Sequence, residues 1–137
     1  MVYLTRVEVF NAAHRLNNDN WSEEKNREVF GKCANKNWHG HNYSLHVTVK
    51  GNPSPDTGFI FNAKTLGDII KRSIIEKVDH SNLNLDVDFM RGKFTSVENF
   101  IIGIWDELKP HLEIEGMTLH KLMLVETPTI YAEYFGE

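Results

Sequence analysis

Covalent cross-linking is unavailable to this chain, because its 137 residues include one cysteine, Cys33. That excludes an intrachain disulfide. It also excludes a cysteine-built structural zinc ribbon, which closes its tetrahedron with four protein ligands. The thiol reads as free and suits a reducing cytoplasm. No apolar run is long enough to span a bilayer. Met1-Val2-Tyr3-Leu4-Thr5-Arg6 lacks the charged and then apolar regions of a signal peptide, so none is expected. Positive charge is in deficit as well: 15 Lys and Arg against 19 Asp and Glu give a net charge of −4. A broad nucleic-acid-binding face is therefore not expected, although a local cationic pocket is compatible with that balance. Repeats, low-complexity tracts and linkers are absent. Residues 1–137 read as one domain, long enough to bury a real core.

The hydrophobic pattern supplies the architecture. From Val2 to His14, Tyr3, Thr5, Val7 and Val9 alternate with Leu4, Arg6, Glu8 and Phe10, the period of a strand. Residues 17–30 form a polar excursion with room for a short helix after Ser22. A second strand is expected from His39 to Lys50, with Tyr43, Leu45, Val47 and Val49 on one face, and the Pro- and Gly-rich segment 51–58 breaks it. Leu66, Ile69, Ile70 and Ile74 predict a helix over Ala63–Val78. Thr95-Ser-Val-Glu98 reads as a capping box opening a second helix, with Pro110 after its end. Strands over Met117–Glu126 and Thr129–Phe135 close the chain. The order strand, strand, helix, helix, strand, strand implies an α+β domain with a mostly antiparallel sheet, whose exposed edges oligomerisation would cover.

The candidate chemistry concentrates around His39-Gly40-His41. On a strand, residues i and i+2 point the same way with Cα atoms about 6.6 Å apart, so two imidazoles can meet one metal ion. A catalytic metal site needs three protein ligands and one open position. His14, at the end of the first strand, is the natural third ligand, since an adjacent antiparallel strand brings it alongside the pair. His46 is out of phase with them. His111 lies near a helix end and His120 within a late strand, and all three read as ordinary histidines. Cys33, six residues before His39, is either an inert thiol or a base whose pKa cationic neighbours and a metal would lower. Asp79-His80 is a commonplace loop dipeptide. It becomes acid–base machinery if the carboxylate fixes the imidazole tautomer. Glu126 is either a solvated strand-end acid or an anchor for an amidine-like ring edge through two hydrogen bonds.

Taken together, Phe10-Asn-Ala-Ala-His14-Arg-Leu16, Phe30-Gly-Lys-Cys33, His39-Gly-His41-Asn-Tyr43, Asp56-Thr-Gly58, Val78-Asp79-His80-Ser-Asn-Leu83-Asn, Thr95-Ser-Val-Glu98-Asn99 and Val125-Glu126-Thr127 resemble the 6-pyruvoyl-tetrahydropterin synthase family, which includes the 6-carboxy-tetrahydropterin synthases. The resemblance spans nearly the whole chain. It implies zinc held by His14, His39 and His41, Cys33 as proton-abstracting base, Asp79 and His80 as its catalytic partners, and Glu126 as pterin anchor. It implies the tunnelling fold, a four-stranded antiparallel sheet with two helices on one face. Trimers of that fold form a strand-lined barrel, two trimers stack into a homohexamer, and active sites lie between subunits. The implied substrate is 7,8-dihydroneopterin triphosphate, with Arg15 and the lysines near Cys33 as candidate triphosphate contacts.

Two products are open. The six-residue gap from Cys33 to His39 and the asparagine in Phe59-Ile-Phe-Asn62 lean toward the pyruvoyl-forming branch. Val97, Ala34 and Trp38 depart from the animal pattern of that branch, in which the cysteine segment runs Cys-Asn-Asn-Pro-Asn-Gly-His. The alternative is 6-carboxy-5,6,7,8-tetrahydropterin, formed with loss of acetaldehyde and triphosphate on the way to queuosine. A non-catalytic zinc module or an inactive structural oligomer would need none of Cys33, Asp79, His80 and Glu126. Cleavage to the 6-hydroxymethyl pterin is disfavoured by Cys33, which stands where those relatives carry glutamate.

Overall fold

A computed structural model describes residues 1–137. Strand β1 (Val2–His14) pairs along its whole length with β2 (His39–Gly51), in antiparallel register from Val2 opposite Gly51 to His14 opposite His39. Strand β4 (Thr118–Thr127) pairs with the other side of β2, and β5 (Ile130–Tyr134) closes that edge. The four long strands are antiparallel, as expected. The sheet has a fifth member, however: β3 (Ser81–Asn82) runs parallel to β1 beside Ala12 and Ala13, giving the order β3-β1-β2-β4-β5. The sheet is thus five-stranded and mixed. Two residues carry no readable alternation. The strand exists because the backbone reverses at His80 (φ 58°), after which Leu83 N–H donates to Ala13 O at 2.8 Å.

Helix α1 (Glu23–Phe30) fills the polar excursion, capped by the Ser22 hydroxyl, and a 3-10 turn (Gly31–Ala34) follows it. Helix α2 (Ala63–Ile70), a pi turn over Lys71–Ile75 and α3 (Glu76–Val78) together cover the expected helix 63–78. Helix α4 (Val97–Ile114) differs from expectation at both ends. Its N-cap is Ser96, whose hydroxyl accepts from Asn99 N–H, because the Thr95 hydroxyl is engaged elsewhere. Pro110 lies inside the helix, not beyond it.

The core forms between one face of the sheet and the helices. Tyr43, Leu45, Val47 and Val49 of β2 and Leu122 and Leu124 of β4 pack with Leu66, Ile70 and Ile74 of the α2–α3 stretch and with Phe100, Ile104 and Leu108 of α4. At roughly 1.5–3 kcal/mol for each fully buried large apolar side chain, this interface dominates the stability of the domain. The other sheet face has no helix over it, and there Val7, Val9 and Tyr131 are exposed. No helix is long and apolar enough to cross a membrane.

Candidate metal centre and active site

The end-to-end register of β1 and β2 builds the centre. It sets His14 directly opposite His39, and Ala12 opposite His41. The alternation of both strands turns all three imidazoles to the helix side. Gly40 lets the strands close up between the two histidines, since a Cβ there would lie 3.1 Å from Ala12 O. Trp38, immediately before His39, holds a left-handed backbone (φ 71°), with its N–H on Asn35 O.

The ligand nitrogens of His14, His39 and His41 all lie within 4.8 Å of one another, and the Nε2 atoms of His14 and His41 are 3.1 Å apart. His14 is 2% exposed, and its Nδ1 lies 2.8 Å from Thr95 O. A carbonyl can only accept, so Nδ1 carries the proton and Nε2 presents a lone pair to the cluster. Burial pushes the His14 pKa down to about 4, against the raising influence of the Thr95 carbonyl. Neighbouring His39 and His41 push it further down. Burial and then His41 also lower His39. Both rings are therefore neutral and able to ligate at physiological pH. Both ring nitrogens of His39 are buried without a hydrogen-bond partner. Buried polar atoms are rarely left so. A divalent cation would satisfy the one facing the cluster, and three imidazoles with an open fourth position are the donor set of a catalytic zinc site. The residues present fit that metal.

The other candidates divide. Glu126 is brought in: its Oε1 lies 3.9 Å from His41 Nε2. Burial raises its pKa, His41 opposes that, and Glu98 adds to it. Tyr43 lies beneath, stacked on Phe10 with ring centroids 4.9 Å apart and edge-on to His41. Cys33 sits on the 3-10 turn, whose carbonyl accepts from Leu16 N–H at 2.8 Å. That bond ties the thiol's segment to the chain leaving His14. Asp79 and His80 form a pair, Oδ1 to Nδ1 at 2.9 Å, at the β3 edge of β1. Asn11 N–H donates to Asp79 Oδ1. That bond, followed by the His80 imidazole, holds the carboxyl below its usual range, despite opposing desolvation. The His80 side chain is 83% exposed, and Asp79 is its one polar partner. The dyad lies level with Asn11, three residues from His14, or about 10 Å along a strand. His46 faces away from the centre, as its phase implies, and bonds Ser44 Oγ.

Thr95 was not among the candidate site residues, since Thr-x-x-Glu reads as a helix cap. Its carbonyl orients His14, while its hydroxyl meets Asn84 Oδ1 at 3.0 Å and Arg15 O at 3.3 Å. No local sequence signal marks a backbone carbonyl as a histidine's partner.

The fold and site define a class: an α+β domain with a three-histidine metal centre on paired strands and a carboxylate at its rim. Comparison with known proteins narrows it. Residues 3–137 match the family model described as 6-pyruvoyl tetrahydropterin synthase. The chain is 42% identical over 136 residues to a 6-pyruvoyl tetrahydrobiopterin synthase of Dictyostelium discoideum, covering 99% of this chain and 97% of that one. It is 31% identical over 113 residues to a 6-carboxy-5,6,7,8-tetrahydropterin synthase of Bacillus subtilis, covering 79% and 73%. The solved 6-pyruvoyl tetrahydropterin synthase of Caenorhabditis elegans superposes with a TM-score of 0.91 at 35% identity, covering 99% and 96%. The chain belongs to the 6-pyruvoyl tetrahydropterin synthase family.

Proposed function

We propose that the protein is a zinc-dependent lyase that converts 7,8-dihydroneopterin triphosphate to 6-pyruvoyl-tetrahydropterin with release of triphosphate. The observation that carries this reading is the convergence of His14, His39 and His41 with Glu126 at their rim. A pterin ring presents adjacent N–H donors, and the Glu126 carboxylate can accept two of them and so fix the ring beside the histidines. Bound zinc would supply Lewis-acid polarisation of the side-chain oxygens, which acidifies the neighbouring C–H. Cys33 removes a proton from the side chain as base. His80 Nδ1 donates to Asp79, which leaves Nε2 to take up or return the second proton. Tyr43 and Phe10 wall the site and limit water.

The exposure of His80 supports a shared active site. A general acid–base group in solvent, on a strand edge, is placed to serve a second copy. The same copy would cover the free edge of β1 and the uncovered Val7 and Val9. We therefore read the working form as a homohexamer of two stacked barrel trimers, with the reaction sites between subunits. The lone thiol suits a reducing cytoplasm.

The identity to a pyruvoyl-forming relative exceeds that to a carboxy-forming one, and this favours the first product. Incubation of zinc-loaded protein with dihydroneopterin triphosphate, followed by mass analysis, tests the reading. Pyruvoyl product is expected. Carboxy product with acetaldehyde would move the chain to the queuosine branch, and no turnover would refute both.

A further inference from the structure

The hydroxyl of Tyr43 takes no part in the chemistry proposed above. The residue is 1% exposed, and its Oη is enclosed without a hydrogen-bond partner. Buried hydroxyls are normally paired, because an unmet donor is costly. The rings around this one offer little. Phe10 stacks on Tyr43 and Phe100 meets it edge-on, and neither has an acceptor. His14 and His41 turn their Nε2 atoms to each other, 3.1 Å apart, and His14 Nδ1 is held by Thr95 O. Across the ladder the need is the reverse. Ser44 pairs with Val125, so the next positions along the two strands set Tyr43 beside Glu126. The half-buried Glu126 carboxylate accepts no hydrogen bond, since its charged contact, His41 Nε2, lies 3.9 Å away, beyond hydrogen-bond distance. A phenol without an acceptor and a carboxylate without a donor thus stand on adjacent strands, where facing Cβ atoms lie about 4.5–5.5 Å apart.

Enclosure decides what the hydroxyl serves. A ligand cannot touch an atom that water cannot reach, so a bound ring is not its partner. A side chain of the same wall reaches it by rotating about its own bonds. The Glu126 charge already acts on the phenol, adding to burial in raising its pKa. At neutral pH the phenol keeps its proton and can donate it to an acceptor. We propose that Tyr43 is a positioning residue for Glu126: its hydroxyl donates to one carboxylate oxygen and holds the carboxylate toward the incoming ring. The carboxylate then has two places. It leans on His41 in the free protein, and it rests on Tyr43 once a ring edge with two N–H donors draws it from the histidine. An ionised carboxylate has about four acceptor sites, so two ring donors leave room for the phenol. The identity of the ring rests on the function proposed above, whereas the pairing rests on the ladder and on the enclosed hydroxyl. Affinity for the ligand thereby depends on an atom that the ligand never touches.

Tyr43→Phe removes the oxygen and keeps the ring on Phe10. The probe is dihydroneopterin triphosphate, titrated calorimetrically into zinc-loaded protein in a Cys33→Ala background, where substrate persists. Tyr43→Phe should weaken binding about tenfold, the loss of one hydrogen bond to a charged group. The Tm of the ligand-free variant should stay at or above that of its parent, because the deleted hydroxyl has no partner there. In a Glu126→Ala background the same substitution should change affinity by less than about twofold, since the two residues act as one unit. A tenfold loss that persists without Glu126 would mean that the hydroxyl meets the ring directly, and would overturn the assignment. Affinity within about twofold of the parent would overturn it as well. So would a ligand-free Tm lowered by about 3 °C or more, which would give the hydroxyl a partner in the free protein. Binding with the expected pattern but no turnover by protein with Cys33 intact would refute the lyase reading and leave the pair standing. Turnover with an affinity indifferent to Tyr43 would do the reverse, and absence of any binding would overturn both.

Discussion

Replacing Thr95 with valine should loosen the metal centre without touching a ligand. The hydroxyl is wholly buried and has one hydrogen, shared between Asn84 Oδ1 at 3.0 Å and Arg15 O at 3.3 Å. Valine nearly preserves the shape, so no cavity forms. Neither acceptor is orphaned: Asn84 Oδ1 keeps Arg15 N–H at 3.1 Å, and Arg15 O keeps the Asn84 side-chain amide at 3.0 Å. The loss is therefore one buried hydrogen bond, about 1–1.5 kcal/mol, and not the larger penalty of a stranded polar group. At about 2.1 cal/mol/K per residue, the 137-residue chain unfolds with an entropy near 290 cal/mol/K, so Tm should fall by about 3–5 °C. The Thr95 carbonyl that fixes the His14 tautomer remains but loses its anchor, and zinc affinity should fall by about tenfold, as for other supports of metal ligands. Calorimetry of metal-free protein reads the first effect, and competition with a chromophoric chelator reads the second. Thr95→Ser, which keeps the hydroxyl, should restore most zinc affinity. Zinc affinity within about twofold of the parent despite a lowered Tm would refute the claim that Thr95 holds His14 in place.

Other outcomes follow from the same geometry. His39→Ala should lose stoichiometric zinc, whereas Cys33→Ala should keep it and lose turnover, as metal analysis and product assay will show; loss of zinc in Cys33→Ala would make the thiol a ligand. Glu126→Ala should weaken pterin binding, measured by fluorescence, by more than about tenfold while leaving zinc content intact. If sites are shared between copies, inactive His39→Ala and His80→Ala chains refolded together should regain activity, and a mixture as inactive as its parts would count against that. Metal-free protein should lose stability on acidification. The folded His14 pKa of about 4 lies below the ordinary 6.5, so the unfolded chain binds more protons between those values. Stability is thus full above about pH 6.5 and falls by up to about 3 kcal/mol toward pH 4. A His14→Gln variant should flatten that slope in denaturant titrations.

The long strands and the metal centre were legible because their signals are local. Alternation through Val2–His14 and His39–Gly51 fixes both elements, and pairing them end to end needs only that His14 meet His39. The Asp79–His80 pair was visible as a dipeptide. Its place on a strand edge, away from the histidine cluster, was not, because that depends on the backbone reversal at His80 and on a two-residue parallel strand. The α4 cap slid by one residue for a tertiary reason: the Thr95 hydroxyl serves Asn84 and Arg15, leaving Ser96 to cap.

Strand β4 is not a simple ladder. Leu119 faces Val49 and Lys121 faces Thr48, so His120 is an extra residue between them. Further on, Val125 pairs with Tyr131 and Thr127 with Ile130, so Glu126 is itself the extra residue on the β5 side. A bulge exchanges the two sides of everything beyond it. Both Leu119 and Leu122 can therefore face the core although an odd number of positions separates them. With His120 deleted, Lys121 would follow Leu119 directly opposite Thr48 and the ladder would run on in the same register, leaving the Glu126 carboxylate on the side of the three histidines. A single insertion between Leu119 and Glu126, with only the present bulge to absorb a residue, would instead shift the carboxylate by one place and turn it to the helix-free side. Loss of His120 should therefore be tolerated, whereas a single insertion in that stretch should separate the carboxylate from the histidines.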